Sequence, residues 1–341
     1  MSSRSDHDFG SLPDWAQRPL VMQIFAQAHA LGGEARIVGG AVRDWLANYP
    51  VSDIDMAINL PIETVASHMV ACDMRVVETG LKHGTITLYD DNDQIELTQT
   101  RVDLESDGRH AIVAHDQDWA RDAARRDFTI NALYLDSSGG IFDPLDGKTD
   151  LQDGRLRFAG DAGLRVQEDA LRMIRYCRFL PRFAATGIDP QAQTALREHA
   201  SLCAGLSGER IANEMRRIMV GGGLKEVIGL MQDSKIDQAA LGLSLDPSRL
   251  SNDDEIRSMI AGLGANIDFA WLLNLAVVMP SGSAARLAKR LRLSRTEERC
   301  LTRLDLGLGD DYMMMLSGTR WRQAVYYLGD MAALLFAVQS W

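Results

Sequence analysis

The sequence has few cysteines, prolines and aromatic residues: among its 341 residues are 4 Cys and 9 Pro, and aromatic residues make up 6%. The four cysteines are scattered without a Cys-x-x-Cys pair, which argues against a zinc site or a disulfide framework and predicts buried thiols. The longest apolar run, residues 269–279, has the length of a core helix and is too short to span a bilayer. The N-terminus lacks the apolar segment of a secretory signal. Together these absences predict a cytoplasmic globular protein with no membrane partner.

The chain also contains fewer basic residues than acidic residues. There are 36 Lys and Arg residues against 47 Asp and Glu residues, so the formal net charge is −11. An acidic balance argues mildly against a nucleic-acid partner, but phosphate binding depends on local patches rather than on totals. The hydrophobic content of 46% and the charged content of 24% are ordinary for a globular protein, and the length allows two or more domains.

Two carboxylates lie in the segment 53–58, whose polar and apolar residues alternate as in a strand. Residues i and i+2 of a strand point to the same face, so Asp53 and Asp55 are predicted to lie side by side. Like charges this close raise each other's pKa unless a cation lies between them. A hard divalent ion with oxygen ligands suits such a pair, and Mg²⁺ is the usual ion where phosphates complete its coordination.

A glycine pair precedes the carboxylates. The apolar run Ala35–Val38 leads into Gly39 and Gly40, and a short helical pattern follows over residues 41–46. Backbone N–H groups at such a turn can approach a phosphate closely, and Arg43 on the first helical turn would reach the same anion. A glycine pair alone is often a tight turn, and an Asp-x-Asp pair alone is often a solvated strand end. In the order strand, glycine pair, helix and strand, they favour a metal and triphosphate site.

The segment 125–133 carries a second set of candidate ligands. It begins with two adjacent arginines, which can bind phosphate as planar forks. Asp127 and Asn131 are spaced as i and i+4 of a helix, where they would hydrogen-bond a ribose hydroxyl together. A surface cluster of ion pairs is the alternative interpretation of this segment.

The pattern becomes helical after Arg155. In a helix predicted over residues 166–179 and the residues that follow, four arginines recur at i+3 and i+4 and share one face: Arg172, Arg175, Arg178 and Arg182. Hardly any acid lies between them, so this face is predicted to concentrate positive potential where a triphosphate or an RNA backbone would bind. A second basic run between Arg286 and Arg303 would either track an RNA backbone or form a solvated helix face.

The strings GGAVRD at Gly39 and SDIDMAI at Ser52 resemble the signature of class II nucleotidyltransferases of the polymerase-β superfamily. This family contains the bacterial CCA-adding enzymes, which are tRNA nucleotidyltransferases, and the bacterial poly(A) polymerases. The string RRDFTINAL at Arg125 is similar to the family's RRDFT-x-NA motif, and EDALR at Glu168 looks like its Glu-Asp-x-x-Arg motif. GERI at Gly208 looks like the family motif that closes the neck, which is the helical region after the head domain. It is expected to support the helix whose residues recognise the nucleotide base. The resemblance covers about the first two-thirds of the chain in the family's order.

The resemblance implies an α+β fold. An N-terminal nucleotidyltransferase head would carry a mixed, mostly antiparallel sheet of five strands, followed by an all-helical neck, body and tail. The expected divisions are a flexible N-terminal segment over residues 1–19, a catalytic head over 20–154, a neck that recognises the nucleotide base over 155–222, and a tRNA-binding body and tail over 223–341.

The same resemblance implies a magnesium-dependent enzyme. It would add C, C and A to the 3′ end of tRNA without a nucleic-acid template, using CTP and ATP and releasing pyrophosphate. Two Mg²⁺ ions would be held by Asp53 and Asp55, and tRNA would be the macromolecular partner. Some relatives carry an HD phosphohydrolase, but residues 271–279 contain no His-Asp pair, so no such activity is expected.

The resemblance also assigns site residues. Glu96, in the context Glu-hydrophobic-Thr-x-x-Arg, would join Asp53 and Asp55 as a third catalytic carboxylate. The motifs and their spacing together give the following nucleotide-binding set: Gly39, Gly40, Arg43, Arg126, Asp127, Asn131, Asp169, Arg172, Arg175 and Arg178.

Asp169 and Arg172 would select the base. Asp169 can accept a hydrogen bond from the exocyclic amine of C or A, and Arg172 can donate to acceptors on the ring. Guanine and uracil lack an amine at that edge and would leave a buried carboxylate unpaired, which is costly. In the family this pair serves as a protein template, so the prediction is selection of C and A without nucleic acid.

Three alternatives remain open. A bacterial poly(A) polymerase usually carries a strongly basic C-terminal extension, which is not evident in this acidic chain. A CC-only or A-only tRNA nucleotidyltransferase shares the motifs. However, the polar stretch 102–115, with Asp107 and Arg109, resembles the flexible loop of full CCA-adding enzymes, which is shortened in CC-only forms. A non-catalytic RNA-binding or nucleotide-sensing protein on the same fold would be expected to lack the pair formed by Asp53 and Asp55.

Overall fold

The computed structural model describes residues 11–81, 84–106, 111–115, 117–250 and 270–307. The chain forms two compact units. The first unit consists of the residues up to Glu168 together with Ala185–Asp189, and the second consists of Asp169–Ala184 and the residues from Pro190 onward. The finer division into neck, body and tail stays a prediction.

The first unit is built around one sheet. Its described strands are β1 (Ala35–Val38), β2 (Asp55–Ile58), β3 (Arg75–Gly80), β4 (Thr85–Tyr89), β5 (Gln94–Gln99), β6 (Arg101–Ser106), β7 (Ala111–His115), β8 (Tyr134–Leu135) and β9 (Ile141–Phe142). Seven of them form the sheet in the order β3-β4-β5-β2-β1-β8-β9, in which β2 and β5 are parallel and the other neighbours are antiparallel. The predicted mixed, mostly antiparallel sheet is confirmed. The expected five strands are too few, because the short strands β8 and β9 extend the sheet beyond β1.

The stretch 102–115, predicted as a flexible loop, contains most of an antiparallel pair formed by β6 and β7. Asp107 and Arg109 lie outside the described residues, so the predicted role of these two residues stays a prediction. The sequence on either side of them carries residue types with high strand propensity, which explains the pairing. They are Val102, Leu104, Ile112 and Val113.

Six helices are described in the first unit: α1 (Pro19–Ala30), α2 (Gly40–Leu46), α3 (Ile62–Ala71), α4 (Trp119–Ala124), α5 (Gly147–Asp153) and α6 (Ala162–Glu168). Short 3-10 turns cover Asp14–Ala16 and Thr129–Asn131. Helix α1 has Pro19 at its first position and ends where the Gly33 N–H donates to the Ala28 carbonyl at 3.0 Å. Both ends of α1 therefore follow from residue types that are local in the sequence.

The two faces of the sheet differ in character. One face buries apolar side chains against α1 and α3, among them Ile37, Met56, Ile86 and Leu97. Because side chains alternate along a strand, the intervening residues project from the other face. They include Val38, Asp55, Ala57, Glu96 and Thr98. This second face also packs a smaller apolar cluster around Trp119 and Tyr134, and it carries the carboxylates predicted from the sequence.

The second unit contains only helices among its described elements. They are α7 (Leu171–Phe183), α8 (Pro190–His199), α9 (Gly208–Met219), α10 (Leu224–Asp233), α11 (Ile236–Leu241), α12 (Ala270–Val278), α13 (Ala284–Leu291) and α14 (Arg295–Gly307), with 3-10 turns at Ala200–Gly205 and Pro247–Arg249. The predicted α+β class, with helices following a sheet-containing head, is therefore confirmed.

The helix predicted over residues 166–179 is interrupted. Helix α6 ends at Glu168 and α7 begins at Leu171. Asp169 Oδ1 accepts a hydrogen bond from the Leu171 N–H at 3.1 Å, so this carboxylate caps α7. The pattern of arginines begins at Arg172, after the break, so it does not reveal the break.

Helix length and cysteine exposure bear on two expectations from composition. Within the described ranges, no helix is both long enough and apolar enough to cross a membrane. Cys177 and Cys203 are buried as predicted, whereas Cys72 is exposed.

A Cβ placed on Gly147, at the start of α5, would overlap the backbone carbonyl oxygen of Thr129. Gly147→Ala is expected to lower the free energy of unfolding by about 1–3 kcal/mol, because a backbone atom cannot rotate away. Gly229→Ala inside α10 is the control, since a Cβ there meets no heavy atom of the described residues within 4 Å. Urea unfolding followed by circular dichroism gives the comparison. Equal midpoints for Gly147→Ala and the unmodified protein would contradict the close contact.

Candidate active site

The predicted carboxylates lie on one row that crosses four strands. Glu96 on β5 is opposite Asp55 on β2, Asp55 is opposite Val38 on β1, and Val38 is opposite Tyr134 on β8. Residues that oppose each other directly project from the same face of a sheet. The parallel pairing of β2 with β5 therefore brings together two carboxylates that are far apart in sequence.

Asp53 lies just before this row. The strand predicted from residue 53 begins at Asp55, so Asp53 is not part of β2. Asp53 and Asp55 are exposed and Ile54 between them is buried, so the predicted alternation still holds. Ser52 Oγ donates to Asp53 Oδ2 at 3.3 Å.

The surroundings of Asp55 raise its pKa. Desolvation of its carboxyl group raises the pKa of Asp55, and the charges of Glu96 and Asp53 raise it further. The guanidinium of Arg126 acts in the opposite direction. A cation bound between the carboxylates would relieve this repulsion.

A divalent metal ion fits this set if other ligands complete its coordination. In the part of the chain that the structure describes, no group of three His, Cys, Asp or Glu side chains converges as a ready-made metal site. Mg²⁺ commonly takes one or two protein carboxylates and fills its remaining positions with water and substrate phosphates. The mutual repulsion at Asp55 and the exposure of Asp53 fit such an ion.

Gly39 forms the turn between β1 and α2. Its φ of 72° and ψ of −120° are values that residues with a side chain rarely adopt. Its N–H donates to the Leu133 carbonyl at 3.1 Å, and its carbonyl accepts from the Arg43 N–H at 3.0 Å. The first N–H groups of a helix have no intrahelical acceptor, so the groups that follow Gly39, beginning with Gly40, are suited to an anion.

Arg43 is buried beside this turn and holds Asn131. Its Nη1 donates to Asn131 Oδ1 at 2.6 Å, and its Nε donates to Asp44 Oδ1 at 2.9 Å. Asn131 Nδ2 donates in turn to Asp127 Oδ1 at 2.9 Å. Asp127 and Asn131, which the sequence places at helical spacing, therefore do meet. They are not on one α-helix, because Asn131 lies on the 3-10 turn Thr129–Asn131 and the chain before that turn is extended.

A buried carboxylate holds the two adjacent arginines. Asp122 on α4 is 0% exposed and accepts from Arg125 Nε at 2.8 Å, from Arg126 Nη2 at 3.1 Å and from Tyr134 Oη at 2.7 Å. Arg126 Nε donates to the same tyrosine hydroxyl at 3.0 Å. Burial acts to raise the pKa of Asp122, but the guanidinium groups of Arg126 and Arg125 and the Tyr134 hydroxyl outweigh burial and hold it below its ordinary value of 3.8.

Arg126 connects the glycine turn with the carboxylates. Its Nη1 lies 3.6 Å from the position that a Cβ on Gly39 would occupy. The same guanidinium lowers the pKa of Asp55. A phosphate bound at the turn would therefore meet a cation whose orientation is already set by Asp122 and Tyr134.

A cleft of about 290 Å³ opens beside the carboxylates on the β5 side. Asp55 and Glu96 line it together with hydroxyl and guanidinium groups. The residues that supply these groups are Thr85, Thr98, Arg101, Arg125 and Arg126. The sheet face thus carries an open, polar space next to the predicted metal ligands.

In the second unit, Asp169 has two side-chain contacts. Besides capping α7 through Oδ1, it accepts from Arg210 Nη2 through Oδ2 at 2.7 Å. The Arg172 N–H donates to the Asp169 carbonyl at 3.0 Å, so the two predicted base-reading residues are joined through the first turn of α7. Arg210 belongs to the GERI string, and its contact agrees with the expected supporting role of that string.

The arginine face of α7 is partly neutralised. Glu214 on α9 is 5% exposed, and its carboxylate oxygens lie 2.9 Å from Arg178 Nε and 3.7 Å from Arg175 Nη1. The guanidinium of Arg178 also lies 4.3 Å from the centre of the Phe179 ring. Hardly any acid lies between these arginines in the sequence, but an acid from another helix reduces the positive charge of the face, which the sequence pattern does not indicate.

Two members of the second basic run make contacts within the second unit. Arg290 Nη1 donates to the Leu206 carbonyl at 3.1 Å, and Arg292 Nη1 donates to Glu209 Oε1 at 2.7 Å. These contacts show that part of the run between Arg286 and Arg303 joins helices of the unit. Whether the run also binds RNA stays a prediction.

The chain matches two family models. Residues 35–157 match the “Poly A polymerase head domain”, and residues 187–240 match the “Probable RNA and SrmB- binding site of polymerase A”. Together the two matches cover about half of the chain. The chain belongs to the family of CCA-adding enzymes and bacterial poly(A) polymerases.

Members of this family resemble the chain over much of its length. The mitochondrial CCA tRNA nucleotidyltransferase 1 of Homo sapiens is 39% identical over 269 residues, which is 78% of this chain and 61% of that protein. The CCA-adding enzyme of Lactobacillus johnsonii is 32% identical over 224 residues, which is 65% of this chain and 55% of that protein. The chain therefore spans less than two-thirds of the length of these curated relatives.

The fold is similar to that in the crystal structure of the Bacillus stearothermophilus CCA-adding enzyme in complex with CTP. The TM-score is 0.77 at 24% sequence identity, and the match covers 96% of this chain and 78% of that chain. At this identity the likeness shows the fold that the family shares.

The sequence motifs of this family member do not by themselves indicate the contacts through which three residues hold predicted site residues in place. Asp122 stands three and four positions before two arginines, a helical spacing that could have indicated pairing. Arg210 binds Asp169 and Glu214 binds Arg178 from a helix that is distant in sequence, and no local pattern indicates those contacts. The site of this family member thus depends on positioning contacts as well as on its motifs.

Replacement of Asp122 by Asn is expected to destabilise the protein by about 3–5 kcal/mol at neutral pH, because two partly buried guanidinium groups lose their counter-charge. The pKa of Asp122 is lowered on folding, so its contribution is present above pH 4 or so and is lost as the pH falls through its folded-state pKa. The difference between the unmodified protein and Asp122→Asn should therefore shrink below that pH.

Unfolding midpoints measured from pH 7 to pH 3 test this expectation. Asp91→Asn is the control, because Asp91 forms an exposed pair with Arg75 that contributes little. A constant difference between Asp122→Asn and the unmodified protein across this range would contradict the assignment.

Proposed function

We propose that this chain is a CCA-adding tRNA nucleotidyltransferase that uses CTP and ATP as substrates and tRNA as acceptor. The observation that carries the proposal is the opposition of Asp55 and Glu96 in register, with Asp53 and the Gly39 turn beside them. The names of the relatives support CCA addition over the alternatives of poly(A) synthesis or CC-only addition. The proposal includes a cytoplasmic location, which agrees with the absence of disulfides among the described cysteines.

In the proposed reaction, the 3′-hydroxyl of the acceptor attacks the α-phosphorus of the nucleotide. A new P–O bond forms, the bond to the β-phosphate oxygen breaks, and pyrophosphate leaves. Asp53 and Asp55 would hold the metal ions, and Glu96 would take part in removing the hydroxyl proton. When bound, two Mg²⁺ ions supply charge stabilisation for the attacking and leaving oxygens.

The glycine turn and the segment after α4 would bind the nucleotide. The backbone N–H groups that follow Gly39, beginning with Gly40, would contact the triphosphate at the turn that Gly39 forms, and Arg126 would add a positive charge in an orientation already set. Asp127 and Asn131 would contact the ribose as a hydrogen-bonded pair. The structure adds to this proposal that Arg43 positions Asn131.

The second unit would select the base. Each oxygen of Asp169 makes one contact and retains further acceptor capacity, so the carboxylate can still accept from an exocyclic amine. Arg172 would donate to ring acceptors of C and A. Arg175 and Arg178 would supply positive charge, which Glu214 reduces.

Extension of a tRNA transcript that lacks its 3′ CCA, resolved to single nucleotides with Mg²⁺, CTP and ATP, tests the proposal. Addition of three residues followed by a stop is the expected outcome. A long adenosine ladder would indicate a poly(A) polymerase instead, and a stop after two cytidines would indicate a CC-only enzyme. No extension by a folded protein would overturn the enzymatic proposal.

Asp53→Ala is expected to reduce incorporation of both C and A to background, because a metal ligand is lost. Asp53 is exposed, so the unfolding midpoint should not change. Asp91→Ala is the matched control, since it removes another exposed aspartate of the first unit. Near-normal transfer by Asp53→Ala in the extension assay would remove the metal assignment.

Arg172→Ala is expected to relax the choice of base while metal-dependent transfer persists. The reason is that the donor to the ring acceptors is lost, whereas the carboxylates of the first unit remain. Arg182→Ala, in the last turn of the same helix, is the control. Competition between CTP and UTP for incorporation measures the effect, and an unchanged preference in Arg172→Ala would count against the base-reading role.

A further inference from the structure

We propose that Arg36 is a positioning residue, which sets the orientation of Arg126 without touching the nucleotide. The guanidinium of Arg36 lies against Trp119, the first residue of α4, and α4 carries the carboxylate that binds Arg126. This inference rests on the proposed function, in which Arg126 binds the triphosphate. It assigns a role to Arg36 and Trp119, which lie outside the predicted set of site residues.

Arg36 on β1 is held by the nearby carboxylate of Glu34. Its Nε donates to Glu34 Oε1 at 2.8 Å and its Nη2 donates to Glu34 Oε2 at 2.9 Å, which is the two-point geometry that a guanidinium and a carboxylate favour. Glu34 is fixed in turn, because its backbone N–H donates to Asn59 Oδ1 at 2.7 Å. The side chain of Glu34 is 40% exposed and that of Arg36 is 13% exposed. Loss of the arginine would therefore not leave a fully buried carboxylate without its partner.

The guanidinium of Arg36 also lies over two aromatic rings. Its central carbon is 4.3 Å from the centre of the Trp119 ring and 4.8 Å from the centre of the Phe142 ring, distances at which a cation and a ring attract each other. Among the described residues, Arg36 Nη1 and Trp119 Nε1 are buried and have no hydrogen-bond partner. Contacts of its ring, rather than a hydrogen bond of its indole N–H, therefore hold the Trp119 side chain.

The Trp119 side chain is one of the few anchors of α4. This helix has six residues, of which Trp119, Asp122 and Ala123 are buried. A helix this short has little stability of its own, so its position depends on the packing of its buried side chains. Asp122 follows Trp119 by three residues and accepts from Arg126 Nη2 at 3.1 Å. Movement of Trp119 would therefore displace the carboxylate that orients Arg126.

Tyr134 provides a second connection between the same rings and Arg126. Its ring centre lies 5.5 Å from that of Trp119 and 5.9 Å from that of Phe142. Its hydroxyl accepts from Arg126 Nε at 3.0 Å, and the guanidinium of Arg126 lies 5.1 Å from the centre of its ring. The three rings thus form one cluster, with Arg36 against two of them and Arg126 against the third. Packing among the rings couples the two arginines.

Arg36→Met tests this coupling in the full chain, with a tRNA transcript lacking CCA as acceptor. Methionine keeps most of the side-chain length and removes the charge. Because the triphosphate would meet a less firmly held Arg126, we expect KM for CTP and KM for ATP to rise together by roughly fivefold, as for the loss of one cation–π contact. Inhibition by pyrophosphate should weaken by a similar factor. The values of kcat, KM for the RNA and the preference for CTP over UTP should not change, because the lost interaction is the same in the ground state and the transition state.

Arg36→Lys is the conservative variant. Lysine keeps a positive charge near the rings but lacks the planar group that stacks on them, so KM for CTP is expected to rise only two- to threefold or so. Arg75→Met on β3 is the control, since it removes an exposed arginine from the same sheet and should leave KM for CTP unchanged.

The measurements separate positioning from a merely structural role. A lower unfolding midpoint in Arg36→Met with an unchanged KM for CTP would overturn the proposal, because Arg36 would then contribute to stability alone. A changed preference for CTP over UTP would also overturn it, since base selection is assigned to the second unit. If Arg36→Met does not fold, Arg36→Lys decides, and a KM for CTP equal to that of the unmodified protein would overturn the proposal.

Failure of the unmodified protein to extend the RNA would instead count against the proposed function. Equilibrium binding of pyrophosphate to the unmodified protein and to Arg36→Met then tests the inference separately. Weaker binding by Arg36→Met would support the positioning role, and equal affinities would contradict it.

Discussion

Electrostatic repulsion among Asp53, Asp55 and Glu96 is the constraint on which the arrangement of the first unit depends. Carboxylates would separate if their strands could move, because close like charges destabilise each other. They are held by the opposite face of the sheet, where Met56 and Leu97 pack in the main core. A shift of one residue in the β2–β5 register would turn these apolar side chains to the wrong face. Hydrophobic burial therefore maintains a negative site that a cation can enter.

The positive groups of the site are held by buried or half-buried partners. Asp122 and Tyr134 fix Arg126, and Asp44 and Asn131 fix Arg43. An arginine held in this way loses little conformational freedom when it binds a phosphate, so more of its interaction energy is available for binding. The family motifs name the residues that are predicted to bind the ligand, and the neighbours of those residues in the fold determine how they are oriented.

In the second unit, charged side chains likewise hold the residues that are predicted to bind the nucleotide. Arg210 holds the carboxylate of Asp169, and Glu214 lies beside Arg178. Both partners come from α9, which begins at the GERI string. In the proposed function, a change in α9 would therefore alter base selection without touching the nucleotide, which gives this string a proposed role beyond packing.

The sequence by itself determined the local features: the strand–glycine–helix order around Gly39, the residues at the two ends of helix α1, and the helical pattern after Arg155. These depend on residues within a few positions of one another, where periodicity and turn chemistry are informative. Only the tertiary structure decided that Glu96 opposes Asp55, that the sheet has seven strands, and that Glu214 balances the arginines of α7. Such contacts join residues 30 or more positions apart, and they form because burial of apolar faces fixes the register and the packing of whole elements.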